Sequence, residues 1–212
     1  MQLSEWKPKT KLGAMVAAGE IRDISQVFSL NLPIREVQVV DALLSDLKVE
    51  RISLENVQKK TDAGAVRRMR VTVAVGNGDG IVGIGSGKAA QVLDAENKAI
   101  EAAKLNLIYV HRACGSWECG CGEPHSIPLA TVGKSGSVRV MLWPAPRGTG
   151  LVASDTIKKI LYLAGISDAW SRTLGETRTT PNQALAAFDA LKNMEKTRRQ
   201  EDWSRLRIRR YW

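Results

Sequence analysis

Between Val71 and Val110 the chain alternates apolar runs with glycine in a way that few architectures accept. Val71-Thr72-Val73-Ala74-Val75 is rich in β-branched residues and runs directly into Gly76-Asn77-Gly78-Asp79-Gly80, so it reads as a buried strand closed by a tight turn. A second short strand, Ile81 to Ile84, leads to Gly85-Ser86-Gly87-Lys88. An Ala-rich segment follows, in which Val92, Ala95, Ala99, Ala102, Ala103 and Leu107 recur at three- and four-residue steps. The expected order is strand, glycine turn, strand, and a glycine loop opening onto a helix over Ala89 to Val110. Alanine on the inner face lets such a helix lie close to a sheet. The loop before it offers backbone N–H groups and the Lys88 ammonium to an anion. Nucleotide fingerprints fit poorly. Gly78-Asp79-Gly80-Ile81-Val82-Gly83 has the G-x-G-x-x-G spacing, but a strand follows where a dinucleotide site needs a helix. Gly87-Lys88 lacks the upstream glycine of a P-loop, where Val82 stands, and the hydroxyl after the lysine, where Ala89 stands.

Upstream, Lys48 to Lys59 reads as a strand of ambiguous register through Val49, Ile52, Leu54 and Val57. The segment from Lys59 to Arg70 joins it to the next strand with Lys59, Lys60, Arg67, Arg68 and Arg70 around Gly64, a pattern that suits a hairpin tip aimed at phosphates; a solvated turn is the plainer alternative. Asn31 to Leu47 has amphipathic helical spacing, with Pro33 near the first turn. The first thirty residues combine Lys7, Lys9, Lys11 and Trp6 with the glycine-bounded apolar run Leu12 to Ala18. They read either as an arm packed on its own domain or as an extension along RNA, with Trp6 free to stack. Downstream, Ile127 to Val152 supplies two or three strands around the turns Gly133-Lys134-Ser135-Gly136 and Arg147-Gly148-Thr149-Gly150. Asp155 to Leu163 is helical with Gly165 at its end, and Thr180-Pro181-Asn182 opens a further helix through Leu185, Phe188, Leu191 and Met194. From Lys192 onward the chain is charged and basic, a tail expected to order only on a partner.

All three cysteines and both histidines fall between His111 and His125, spaced Cys114-x4-Cys119-x-Cys121-x3-His125. Four soft or borderline ligands with Gly115, Gly120 and Gly122 between them suit a tetrahedral structural zinc site, with His111 as a less favoured fourth ligand. A reduced loop packed at a domain junction is the alternative. The odd cysteine count argues for a reducing cytoplasm rather than a disulfide framework. No nucleophile, base or carboxylate pair is placed for catalysis, so an enzyme is not expected. The formal charge of +9 favours a polyanionic partner, and neither a membrane span nor a signal peptide is visible.

The stretch Val71 to Val110, together with Lys134-Ser135-Gly136-Ser137-Val138-Arg139-Val140, Pro144-Ala145-Pro146-Arg147-Gly148-Thr149-Gly150 and Ile160 to Ile166, resembles the two domains of the small-subunit ribosomal protein S-five family, in order and at the right spacing. The long N-terminal segment and the cysteine-bearing insert look like the archaeal type. The resemblance implies an α+β chain: an N-terminal double-stranded-RNA-binding-like domain (three-stranded antiparallel sheet plus helix) and a C-terminal α+β sandwich domain of the S-five second-domain type. The expected division is an N-terminal extension with a helix over 1–46, the RNA-binding-like domain over 47–112, a Cys/His-rich connector over 113–126, the C-terminal domain over 127–195 and a basic tail over 196–212. Expected RNA contacts are Lys59, Lys60, Arg67, Arg68, Arg70, Lys88, Lys134 and Arg147, with backbone approach at Gly64, Gly78, Gly80, Gly85, Gly87, Gly136 and Gly148. The implied partners are small-subunit rRNA, small-subunit proteins four and eight, and mRNA on the side where it enters. The implied place is the ribosome in the cytoplasm, with roles in subunit assembly and translational accuracy.

Overall fold

In the computed structural model, which describes residues 6–195, three short helices precede the first sheet: α1 (Lys11–Ala17), α2 (Ile24–Ser29) and α3 (Val37–Leu43). The helix expected from Asn31 is confined to α3, because Asn31 takes φ 51° and Pro33 sits in the connection between α2 and α3. Glu36 clasps the start of the chain here. Its carboxylate accepts the Trp6 indole N–H at 3.0 Å and the backbone amides of Lys9 and Thr10 at 2.9 and 2.7 Å. Partial burial pushes this carboxyl up, but the bonds from Thr10, Lys9 and Trp6 outweigh it and hold it below the usual range. Trp6 packs with Leu12, Ile21, Val27 and Val39. The reading of Trp6 as free to stack on RNA is therefore corrected: its ring and its N–H are both engaged by its own chain.

The first sheet is antiparallel, in the order β1 (Lys48–Thr61), β2 (Gly64–Gly76), β3 (Ile81–Ala89), β4 (Leu107–Tyr109). The fourth strand comes from what the sequence reads as the end of a helix. Helix α4 (Val92–Leu105) stops at Asn106, and Leu107 to Tyr109 turn back to pair with Gly83 to Ile81. One face of the sheet (Val71, Val73, Val75, Ile81) packs on Ala95, Ala99 and Ala103 of α4.

Ala74, Val82 and Ile84 point to the other face and join the core of the second unit. There β5 (Thr131–Ser135), β6 (Val138–Pro144), β7 (Leu151–Val152) and β8 (Ala169–Leu174) form a sheet in the order β5-β6-β8-β7, with only the β7–β8 pair parallel. Helices α5 (Asp155–Leu163) and α6 (Thr180–Glu195) supply Ile157, Ile160, Leu161, Ala187 and Leu191 to this core. Gly165, at φ 74°, ends α5 in the left-handed conformation that the sequence anticipates for a helix stop.

The two units also meet through backbone. The Gly78 and Gly80 amides donate to the Leu163 and Ala164 carbonyls at 2.9 and 3.1 Å, satisfying the open C-terminal end of α5. A Cβ at Gly165 would lie 2.1 Å from the Gly78 oxygen. These amides are occupied within the protein, so the expected approach of RNA backbone at Gly78 and Gly80 is corrected: the glycine turn is an interdomain lock.

Candidate nucleic-acid interface and metal centre

β1 and β2 are longer than their partners, and the register shows what the extra length does. β3 covers β2 only from Met69 to Gly76, so Val57–Thr61 paired with Gly64–Arg68 projects as a two-stranded ribbon, half-buried at Val57 and exposed at every other position. Side chains alternate across such a ribbon. Lys60 and Arg67 therefore lie on one face, and Lys59 and Arg68 on the other. The tip is a two-residue turn, Asp62-Ala63, closed by the Thr61 hydroxyl donating to the Gly64 carbonyl at 2.7 Å. Gly64 takes φ 125°, where a side chain is strained, although a Cβ there would meet nothing within 4 Å.

Further down the sheet Arg70 lies opposite Glu55 on β1 and Lys88 on β3, so the register brings two expected cations together on the face away from α4. The Arg70 guanidinium stands 3.9 Å from the Glu55 carboxylate. Lys88 does not stand at a helix N-terminus. It is exposed on a strand, and the helix begins four residues later at Val92.

That placement overturns the glycine-loop reading. Gly83, Gly85 and Gly87 belong to β3 and turn their Cα hydrogens onto α4. A Cβ at Gly85 would meet the Ala103 nitrogen at 2.2 Å and the Ala99 oxygen at 2.3 Å; at Gly87 it would meet the Ala95 oxygen at 2.2 Å. Glycine is required because a helix backbone lies against the strand, not because a phosphate does. The second unit repeats the device: a Cβ at Gly133 would lie 2.2 Å from both the Ala186 oxygen and the Ala190 nitrogen. Gly136 is the true turn glycine of that pair, at φ 60° in the β5–β6 hairpin, with Lys134 exposed one strand position before the turn begins.

One surface escaped sequence reading altogether. The sheet face of the second unit opposite α6 carries the register neighbours Trp143–Trp170, Met141–Arg172 and Arg139–Leu174. No helix covers it among the described residues, and Arg139, Trp170, Arg172 and Leu174 are exposed. β8 gave no strong strand signal, since Ser171, Arg172 and Thr173 interrupt any apolar alternation.

The Cys/His segment closes into a knuckle. Ala113 and Ser126 pair as an isolated bridge, 2.8 and 3.0 Å in the two directions, pinning both ends of the loop. Within it the Cys114, Cys119 and Cys121 sulfurs and a His125 ring nitrogen all lie within 4.8 Å of one another. Cys119 Sγ is 3.4 Å from Cys121 Sγ and 3.8 Å from His125 Nε2. A tetrahedron with zinc–sulfur and zinc–nitrogen bonds of ordinary length has edges of roughly 3.6–3.8 Å, so the four atoms would hold such an ion once the widest separation among them closes by about 1 Å. His125 Nδ1 faces the Asp168 carboxylate at 2.9 Å, both groups being buried, which leaves Nε2 for a ligand role. His111 is not in the cluster; its ring stands edge-on to Tyr109 at 4.8 Å between centroids. The thiols are unequal. Burial, together with hydrogen bonding to Cys119, pushes the Cys114 thiol up to about 11, whereas the Arg147 backbone N–H and neighbouring Cys121 bring Cys119 down to about 6. Arg147 also reaches Glu123 at 2.8 Å across an exposed pair, and Gly148 stands at φ 87° with open space around it.

Family models extend these geometric findings to known proteins. One described as ribosomal protein S5, N-terminal domain, matches residues 47–111, and one described as ribosomal protein S5, C-terminal domain, matches residues 133–205. The chain belongs to the ribosomal protein S5 family. It is 54% identical over 199 residues to small ribosomal subunit protein uS5 of Thermofilum pendens, covering 94% of this chain and 98% of that protein. The uS5 proteins of Staphylothermus marinus (55% over 201 residues, 95% of this chain and 94% of the relative) and Saccharolobus solfataricus (52% over 207 residues, 98% and 97%) are similar over the same span. The S5 family is one of ribosomal structural proteins, not of enzymes. These relatives match 94–98% of the knuckle-bearing chain, and the two-domain α+β reading stands, with a fourth strand added to the first sheet. Among the described residues no helix is long and apolar enough to cross a membrane. The basic tail over 196–212 lies outside the described residues.

Proposed function

We propose that this chain is a structural constituent of the small ribosomal subunit and grips its RNA with the β1–β2 ribbon. The observation that carries the reading is the ribbon itself. Lys59, Lys60, Arg67 and Arg68 are displayed on both of its faces, beyond the sheet, and no ion pair holds any of the four among the described residues. A ribbon charged on two sides suits insertion between phosphate backbones, where shape and charge rather than base edges decide binding. Arg70 and Lys88 continue that surface along the sheet, while Lys134 with Gly136 and Arg147 with Gly148 form two further contact points on the second unit. Gly85 and Gly87 are dropped from the contact set, since α4 occupies their open side.

The finer reading places the protein on the side of the subunit where mRNA enters, next to small-subunit proteins four and eight, with a part in assembly and accuracy, in the cytoplasm. The units serving this role are the extension 1–46, the RNA-binding-like domain 47–112, the connector 113–126, the C-terminal domain 127–195 and the tail 196–212. The connector holds a structural zinc ion through Cys114, Cys119, Cys121 and His125; four protein ligands leave no position for a reacting water. Sedimentation of native lysate through a gradient after a high-salt wash tests the main reading. One copy retained per small subunit is the expected result, and loss to the top fractions would point instead to a free RNA-binding regulator. Metal analysis of protein from zinc-replete cells tests the ion: about one zinc per chain is expected, and metal-free protein would remove it.

A further inference from the structure

The geometry points to Asp168 as a positioning residue that joins the metal knuckle to the Pro146–Gly150 turn, so that a bound metal sets the conformation in which Arg147 is offered to RNA. The inference rests on the zinc reading above. Its basis is where the turn's backbone donors go. The Ala145 amide donates to the Ser126 hydroxyl at 3.1 Å, the Gly150 amide to Asp168 Oδ1 at 2.7 Å, and the Arg147 amide to the Cys119 sulfur. All three acceptors belong to the knuckle or to the carboxylate behind it. Only the tip bonds internally, through Thr149 to the Pro146 carbonyl.

Asp168 is 4% exposed and spends both oxygens on this junction: Oδ1 holds the turn and Oδ2 holds His125 Nδ1. The His125 carbonyl returns the bond, accepting the Ser167 and Asp168 amides at 2.9 and 3.1 Å. A carboxylate at Oδ2 requires the imidazole proton on Nδ1 and frees Nε2, the nitrogen that faces Cys119. A metal drawing on Nε2 and on the Cys119 thiolate therefore tightens the two anchors of the turn together. Without it, Cys119 and His125 lose the common centre that fixes their spacing, while Gly148 and the Arg147 side chain are held by little else than an exposed pair with Glu123.

Asp168→Asn separates the roles. An amide that keeps its oxygen on the Gly150 N–H must present –NH₂ to Nδ1, which moves the imidazole proton to Nε2 and spoils the ligand. Zinc affinity, measured by chelator competition on the full chain, should fall about 10- to 100-fold in the variant. Amide hydrogen exchange of the native chain with and without zinc reads the coupling. Removing the metal should cost protection over 144–151 along with 113–126, while α5, α6 and the ribbon exchange as before. If zinc binds and protects the knuckle but leaves 144–151 unchanged, the coupling is wrong and the metal site stands. If protection is lost across α5 and α6 as well, the metal is a general folding staple and the local coupling is again wrong. If no zinc binds under any condition, both the metal reading and the coupling fall.

Discussion

Gly85 and Gly64 sit on neighbouring strands of one sheet, among the same basic residues, and do opposite jobs. At Gly64 a Cβ would meet nothing within 4 Å, and the residue is there because the ribbon tip needs φ 125°. At Gly85 the backbone is an ordinary strand, but a helix backbone lies closer than any side chain allows. One glycine is a statement about the chain's own torsions and the other about its neighbour. A motif that mixes them, such as Gly85-Ser86-Gly87-Lys88, looks like an anion cradle until the neighbour is known.

The contrast is broken most violently by valine. Gly85→Val would force α4 off the sheet, and with it the burial of Val71, Val73 and Val75. The expected cost exceeds about 4 kcal/mol, enough to prevent folding of a marginally stable domain. Gly64→Ala should cost only about 1–2 kcal/mol, since the penalty is torsional alone. Comparing the two by denaturant unfolding checks the assignment. A Gly85→Val chain that unfolds at the native midpoint would return the glycines of β3 to the role of phosphate cradle.

How much of this could be read from residues follows the same line. Elements whose partners are local were legible: α5 with its Gly165 stop, α6 from Thr180, and the hairpin through Gly64 all carry their signals within a few residues. Elements defined by a distant partner were not. β4 forms because Gly83 to Ile81 offer a free edge to Leu107–Tyr109, and nothing between Ala103 and Tyr109 announces it. β1 looked ambiguous because it is irregular: the register shifts between Arg51 and Ser53, so Val49 and Leu54, five residues apart, oppose Val75 and Val71 on one face and no strict period of two runs through them. The site divides similarly. Cysteine spacing picked out four residues that do cluster in space, but Asp168, 43 residues beyond His125, could be found only in three dimensions.

The second comparison is between Cys119 and Cys114, thiols of one cluster, five residues apart in opposite surroundings. In metal-free protein Cys119, held down to about 6 first of all by the Arg147 amide, is thiolate at neutral pH, whereas buried Cys114, pushed up to about 11, is not. The signs oppose each other. From an ordinary value near 9, the Cys119 contribution to stability is full above pH 9 and is lost as pH falls towards 6; the Cys114 contribution is full below pH 9 and is lost as pH rises towards 11. Iodoacetamide in the presence of chelator should modify Cys119 first at pH 7, with a rate that halves near pH 6, and should reach Cys114 only in strong alkali. Equal rates at the two sites, followed by peptide mass spectrometry, would show that the Arg147 amide does not face Cys119 and would loosen the knuckle-to-turn link at its first anchor.

A smaller effect is expected at the amino-terminal clasp. Glu36→Gln keeps one acceptor but loses the charge that gathers the Trp6, Lys9 and Thr10 donors, at a cost of about 1 kcal/mol. Because the carboxyl is held below its ordinary value, the native clasp is at full strength above about pH 4.5 and weakens as the carboxylate takes up a proton on further acidification. Trp6 fluorescence reports the loss: native emission should change as pH falls below about 4.5 while that of the Glu36→Gln variant does not, and a native emission unmoved by that acidification would leave the indole unclasped.

The ribbon should show almost no stability effect, and that is what makes it informative. Arg67 and Arg68 are exposed, on opposite faces, and bury no apolar surface that the fold depends on. Replacing both with Ala should leave thermal unfolding within experimental scatter, because exposed charges away from packed features rarely matter to stability. Binding to small-subunit RNA should behave differently: each lost phosphate contact releases one fewer counterion, so the slope of log affinity against log salt should flatten by about one to two units. Single variants sharpen the point. If each face grips its own backbone, Arg67→Ala and Arg68→Ala flatten the slope by similar amounts and their effects add; if one face carries the contact, one variant does nothing. A double variant with native slope would remove the ribbon from the interface and leave the paired Arg70 and Lys88 on the sheet as its remaining cationic ground.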